Sequence, residues 1–150
     1  MAVDIPLDLD SGPIVWVKAE LDIALLAALD GITRLQAGEA GTLSATVRSN
    51  LHRAGGAFEL VGVEGLAVLL REFEAHFPDL PEAPRAEALQ TVAGACRRLI
   101  SHLEEIAVGA QPVPLRFLPE YLTLGRLRDI RFGPADLFFP DLARKPRFVD

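Results

Sequence analysis

Cysteine is nearly missing from this chain: Cys96 stands alone among 150 residues. A single thiol excludes a disulfide scaffold and leaves no cysteine-based zinc site. Aromatic residues are scarce, at 7 % of the total, so a core has to be assembled from Leu, Ala and Val. Apolar runs are short, and none approaches the ~20 residues that cross a bilayer. Basic residues are outnumbered, with 15 Lys and Arg against 21 Asp and Glu and a formal net charge of −6. An acidic surface argues against nucleic acid as the partner, because phosphate contacts need clustered cations. The opening residues, MAVDIPLDLDSG, carry acid where a secretory signal carries base. These absences lead to the expectation of a cytoplasmic chain with no nucleic-acid partner and no membrane insertion.

What the chain does have is helix-forming material. Half of it is hydrophobic and about a quarter charged, enough for one ordinary domain with a core of its own. Ala and Leu favour helices, while β-branched and aromatic residues are comparatively sparse. Glycine and proline divide the sequence into five helical stretches. Ser11-Gly12-Pro13 opens the first, over 13–35, with Val17, Leu21, Ala24, Leu25, Ala28 and Ile32 on one face and Trp16 expected to anchor its packing. The second covers 42–61, capped at Thr42 or Gly41, and its Val47, Leu51, Ala54, Phe58 and Val61 form the single stripe of a bundle helix. Gly62 ends it. The third carries Leu66, Leu69, Leu70, Phe73 and Phe77 up to Pro78, and so short a link predicts an antiparallel hairpin.

After the loop PDLPEAP, a fourth helix over 84–108 turns Leu89, Val92, Ala93, Cys96, Leu99, Ile100, Leu103 and Ile106 inward, with Gly109 as its C-terminal cap. A shorter fifth helix, 115–128, carries Leu118, Leu122 and Leu127, and Pro119 is tolerated near its start. The remainder has no helical period, yet Leu137, Phe138 and Phe139 are too apolar to stand in water together and are expected to dock on the bundle. The predicted fold is therefore all-α. It is a four- to five-helix antiparallel bundle filling residues 1–150 as one domain, with an arm over 1–12, the bundle over 13–129 and a packed irregular tail over 130–150.

The reactive inventory is short. His52, His76 and His102 fall on three different helices without metal-ligand spacing, so no metal site is expected. No serine has a nucleophile-elbow context and no glycine pattern follows a strand. His76 reads as a helix-terminal cation, His102 as a residue of a solvated face, and Cys96 as a small core residue. Glu104, Glu105, Arg97 and Arg98 read as surface charge. An independent small enzyme would need a pocket with shifted carboxylates such as Glu20 or Glu64.

His52 differs because of where its helix puts it. At about 100° per residue it falls roughly 140° from the centre of the buried stripe, on the solvent side. Arg48 and Ser49 lie one turn before it, Gly55 and Gly56 one turn after, and Glu59 two turns on. Two glycines in mid-helix each cost about 1 kcal/mol against alanine. Beside an exposed imidazole they leave room for another protein's active site. An unhindered nitrogen, a nearby cation from Arg48 and a more distant orienting carboxylate from Glu59 are what in-line phosphoryl transfer onto histidine requires. The competing reading is a surface histidine beside glycines that only permit close helix packing.

The stretch His52-Arg53-Ala54-Gly55-Gly56-Ala57-Phe58-Glu59-Leu60-Val61-Gly62-Val63-Glu64-Gly65-Leu66 resembles the motif of histidine-phosphotransfer (HPt) domains. That motif is a histidine, a glycine-containing run of small residues, an apolar-Gly pair and a leucine on the next helix. Gly56, Val61, Gly62 and Leu66 stand at the matching offsets, and Glu74 fits an acidic position on the third helix. The family's lysine, three residues after the histidine, is Gly55 here. Ile14-Val15-Trp16-Val17-Lys18-Ala19-Glu20-Leu21-Asp22 and Pro134-Ala135-Asp136-Leu137-Phe138-Phe139-Pro140-Asp141-Leu142 look like the N-terminal region of CheA-type hybrid histidine kinases of type IV pilus chemosensory systems. The resemblance implies a phosphorelay module with His52 as phospho-acceptor, Arg48 assisting, and Ser49, Gly55, Gly56 and Glu59 in the contact surface. It implies a response regulator receiver domain and a kinase domain, of the same or another chain, as partners. No cofactor and no independent catalysis are expected, and the chain could be one module of a longer kinase without an ATP-binding domain of its own. The alternative is a docking domain, not phosphorylated, that binds a regulator or scaffold.

Overall fold

The computed structural model describes residues 12–77, 82–127, 132–133 and 137. Among the described residues five α-helices make an all-α bundle and no strand occurs: α1 (Gly12–Gln36), α2 (Leu43–Leu60), α3 (Glu64–His76), α4 (Glu82–Ala107) and α5 (Leu118–Leu127). A 3-10 turn, Pro114–Phe117, leads into α5. It replaces the first turn of the continuous helix expected over 115–128. Helix α1 packs on both α2 and α4, α2 also packs on α3, and α4 on α5. None of the helices among the described residues is long and apolar enough to cross a membrane.

Helices α2 and α4 end where the backbone can turn left-handed. Gly62 has φ +84°, and the following Val63 N–H reaches back to the Phe58 carbonyl at 2.9 Å. That bond satisfies a carbonyl orphaned at the end of α2, which a residue with a Cβ would do only with strain. Gly109, φ +114°, closes α4 in the same way, with Ala110 N–H on the Glu105 carbonyl at 3.0 Å. Thr42 occupies the N-cap of α2 but makes no side-chain cap hydrogen bond. The proposed cap at Ser11 lies outside the described residues.

The helix stripes fuse into one core. Leu21, Leu25 and Ile32 of α1 meet Val47, Leu51 and Phe58 of α2, Leu66, Leu70 and Phe73 of α3, and Val92, Cys96 and Leu99 of α4. Ile100 and Val61 pack at the margin. Two expectations fail here. Trp16 is 85 % exposed instead of anchoring α1, because it sits opposite the face that Leu21, Ala24, Leu25 and Ala28 turn inward. On α5, Leu122 faces outward and Tyr121 and Leu124 are buried instead. The 3-10 turn sets the rotation of α5 so that Phe117 and Tyr121 share its inner face.

Missing side chains let the elements approach. A Cβ on Gly31 of α1 would stand 2.6 Å from Val47 Cγ2 of α2. A Cβ on Gly65 would stand 2.5 Å from the Leu137 carbonyl oxygen and 2.6 Å from Pro114 Cγ. Leu137 is buried on the bundle, as the docking expectation required, while Phe138 and Phe139 lie outside the described residues. Phe132 stacks on Tyr121 with ring centroids 4.4 Å apart. Gly94, by contrast, has nothing near where a Cβ would stand. Gly65→Ala is therefore expected to cost about 1–3 kcal/mol, since a backbone carbonyl and a proline ring yield little to overpacking. Gly94→Ala should gain up to about 1 kcal/mol from helix propensity. Urea denaturation of the two variants tests the opposite signs.

Candidate functional site

The rotational setting of α2 decides what faces water. With Val47, Leu51, Ala54 and Phe58 fully buried, His52 is turned out, and its side chain is 74 % exposed. Its Nδ1 lies 3.1 Å from both carboxylate oxygens of Glu74 on α3. An ionised carboxylate only accepts, so Nδ1 carries the proton in this contact and Nε2 keeps the free lone pair. Glu74, 25 % exposed, is less solvated than the ring it holds, which limits solvent screening of the pair. The arrangement is a nucleophilic nitrogen aimed at solvent, with the ring fixed from behind.

Around the ring, Ala45, Arg48, Ser49, Arg53 and Glu74 line a shallow open depression with His52. Arg48 and Ser49 thus stand where the helical spacing placed them, one turn before the histidine. Arg53 is drawn sideways to Glu20 of α1, at 2.5 Å. The two glycines part company. Gly56 is exposed with open space where a Cβ would project, whereas Gly55 is buried, its Cβ position 3.3 Å from Leu70 Cβ. Gly55 therefore serves the approach of α3 to α2 and does not widen access to the imidazole. Glu59 is not the orienting carboxylate: it pairs with Arg71 of α3 at 3.0 Å. That role falls to Glu74, 22 residues away in sequence, which only the family resemblance singled out.

His102 also departs from expectation. It is 1 % exposed rather than on a solvated face. Its Nε2 accepts the Val113 N–H at 2.9 Å, its Nδ1 meets Glu105 at 3.0 Å, and its ring packs beside Phe117. Hydrogen bonds from His102 and then Arg116 hold the Glu105 carboxyl below its usual range. Glu104, expected to be plain surface charge, shares Lys18 with Asp22. Arg98 pairs with Glu120 and lies over the Phe117 ring, 5.1 Å from its centroid. His102, Glu105 and Arg98 pin Val113, Arg116 and Phe117 to α4, while Lys18 ties α1 to α4. They form no open site.

No group of three metal-ligating side chains converges among the described residues. Cys96 is buried in the core; burial pushes its thiol up to about 12. The side chain of His76 lies outside the described residues. Glu20 is engaged by Arg53. Comparison with known proteins finds no matching family model, no matching curated protein and no matching solved structure.

Two outcomes test this geometry. Nitrogen-15 NMR of the neutral His52 ring is expected to show the Nδ1–H tautomer, and Glu74→Ala to shift the population to Nε2–H. Cys96, with a thiolate fraction of about one in ten thousand at pH 8, should resist a thiol reagent in the folded protein and react promptly in urea.

Proposed function

We propose that this chain is a phosphorelay module in which His52 exchanges a phosphoryl group with the receiver domain of a response regulator. The observation that carries the reading is the exposed His52 ring held through Nδ1 by Glu74, with Nε2 as the outward lone pair. On a receiver the donor is an aspartyl phosphate. Its P–O bond breaks as the P–N bond to Nε2 forms, and the donor carboxylate leaves with the electron pair. Nδ1 keeps its proton, so the ring becomes an N-phosphoryl imidazolium. Glu74 faces that developing charge at 3.1 Å, and no proton has to be moved in the step. Transfer back to an aspartate runs through the same arrangement reversed.

Arg48 supplies the cation for the phosphoryl oxygens from one turn before His52. It takes the part a lysine would play at position 55. That position is closed to a long side chain by Leu70 and Ala67 of α3. Gly56 leaves the approach to the ring open. The likeness to hybrid kinases of type IV pilus chemosensory systems gives the proposal its setting, a cytoplasmic relay in which a kinase domain and a receiver are the partners. A docking domain without phosphoryl transfer is the second reading, favoured by the absence of lysine at Gly55.

The test supplies labelled phosphate from a phosphorylated receiver domain to the wild type and to His52→Gln. Acid-labile label is expected on the wild type alone. Glu74→Gln should slow the transfer by roughly 10- to 100-fold, the scale of losing one charge-stabilising contact at a partly exposed site. Arg48→Ala should slow it as well. An unlabelled wild type, with a donor active on a control domain, would leave the docking reading in its place.

A further inference from the structure

Helix α1 is apolar on two faces. One is buried in the core. On the other, Trp16, Ala19, Ile23 and Leu26 follow one another at steps of three, four and three, flanked by Val15. Trp16 is 85 %, Ile23 58 % and Leu26 53 % exposed, and Ala19 is exposed too. That spacing is the narrow seam of a helix that pairs with another helix. The charges interleaved in this stretch are all turned aside and engaged: Lys18 binds Asp22 and Glu104 at 2.6 and 2.7 Å, and Glu20 binds Arg53 at 2.5 Å. Nothing charged stands in the seam until Asp30, one turn beyond Leu26.

We infer that this seam pairs with the same seam on a second copy of the chain, in a two-fold antiparallel α1–α1 contact. One antiparallel register sets Trp16 against Leu26 and Ala19 against Ile23 simultaneously, each larger side chain meeting a smaller one, twice over by symmetry. A parallel pairing would instead oppose Trp16 to Trp16 and leave a void between two alanines. The stripe exposes on the order of 500 Å² of mostly apolar surface, at the upper end of what monomers leave uncovered. A standard interface takes about 800 Å² from each partner. The contact therefore falls short of a permanent dimer and suits a reversible one, with Kd on the order of 10 µM. Each copy carries a formal charge of −6, so added salt should tighten the pairing by screening mutual repulsion.

Trp16 is the chain's single tryptophan, and its emission reports on the seam directly. Sedimentation velocity and fluorescence of the full chain, from about 1 to about 300 µM around the expected Kd, should show a monomer–dimer transition with a parallel blue shift. Ile23→Glu and Leu26→Glu should each weaken the dimer at least tenfold, and Ile23→Ala by less. These side chains are outside the core, and unchanged urea midpoints would show the variants folded. Three results would overturn the inference: a monomer with water-like emission over the whole range; a blue-shifted emission independent of concentration, meaning that the chain covers the seam itself; or a dimer indifferent to Ile23→Glu.

Discussion

Helix α2 has one rotational setting because its neighbours leave it no other. Val47, Leu51, Ala54 and Phe58 are all fully buried. On one side Val47 fills the space left by Gly31, and on the other Gly55 admits Leu70. A turn of the helix about its axis would drive Cβ atoms into those contacts and bring Arg48 or Arg53 toward the core, where an unpaired charge is costly. The outward position of His52 follows from this packing. So does its meeting with Glu74, since the same close approach that Gly55 permits brings α3 within hydrogen-bond reach. Core and candidate site are one mechanical problem.

The ring itself is held by a single ion-pair-like contact to a partly buried carboxylate, and this is what makes the histidine chemically directed. A freely rotating imidazole presents either nitrogen; this one presents Nε2. Arg48 lines the same open depression, and Gly56, one turn on, adds no side chain to the exposed face of the helix. The second histidine that is well described, His102, has the opposite character. Both of its nitrogens are engaged, and it works as a tie between α4 and the turn that precedes α5.

Much of the fold was legible because apolar spacing and glycine placement carry it. The stripe of α2 and the stops at Gly62 and Gly109 are written locally in the chain. What was not legible depended on contacts between distant residues. Gly55 and Gly56 are alike in sequence, and only the position of α3 makes the first a packing residue and the second an open one. The orienting carboxylate lies on another helix, so helical spacing along α2 pointed to Glu59 and missed Glu74. His102 was readable in hindsight: it follows Leu99 by three and precedes Ile106 by four, the spacing of a buried face, but its charged neighbours masked that. Trp16 has the size of an anchor, but its angle on α1 lies opposite the buried Leu21 and Leu25.

We propose Nε2 of His52, with Glu74 behind Nδ1, as the nitrogen that takes a phosphoryl group. Treating the isolated protein with phosphoramidate, a small donor that needs no partner, and reading the product by phosphorus and nitrogen NMR decides the point. A single acid-labile phosphoramidate is expected on His52, bonded at Nε2, with Nδ1 still protonated. Phosphorylation at Nδ1, at another histidine ahead of His52, or at none of them would contradict it.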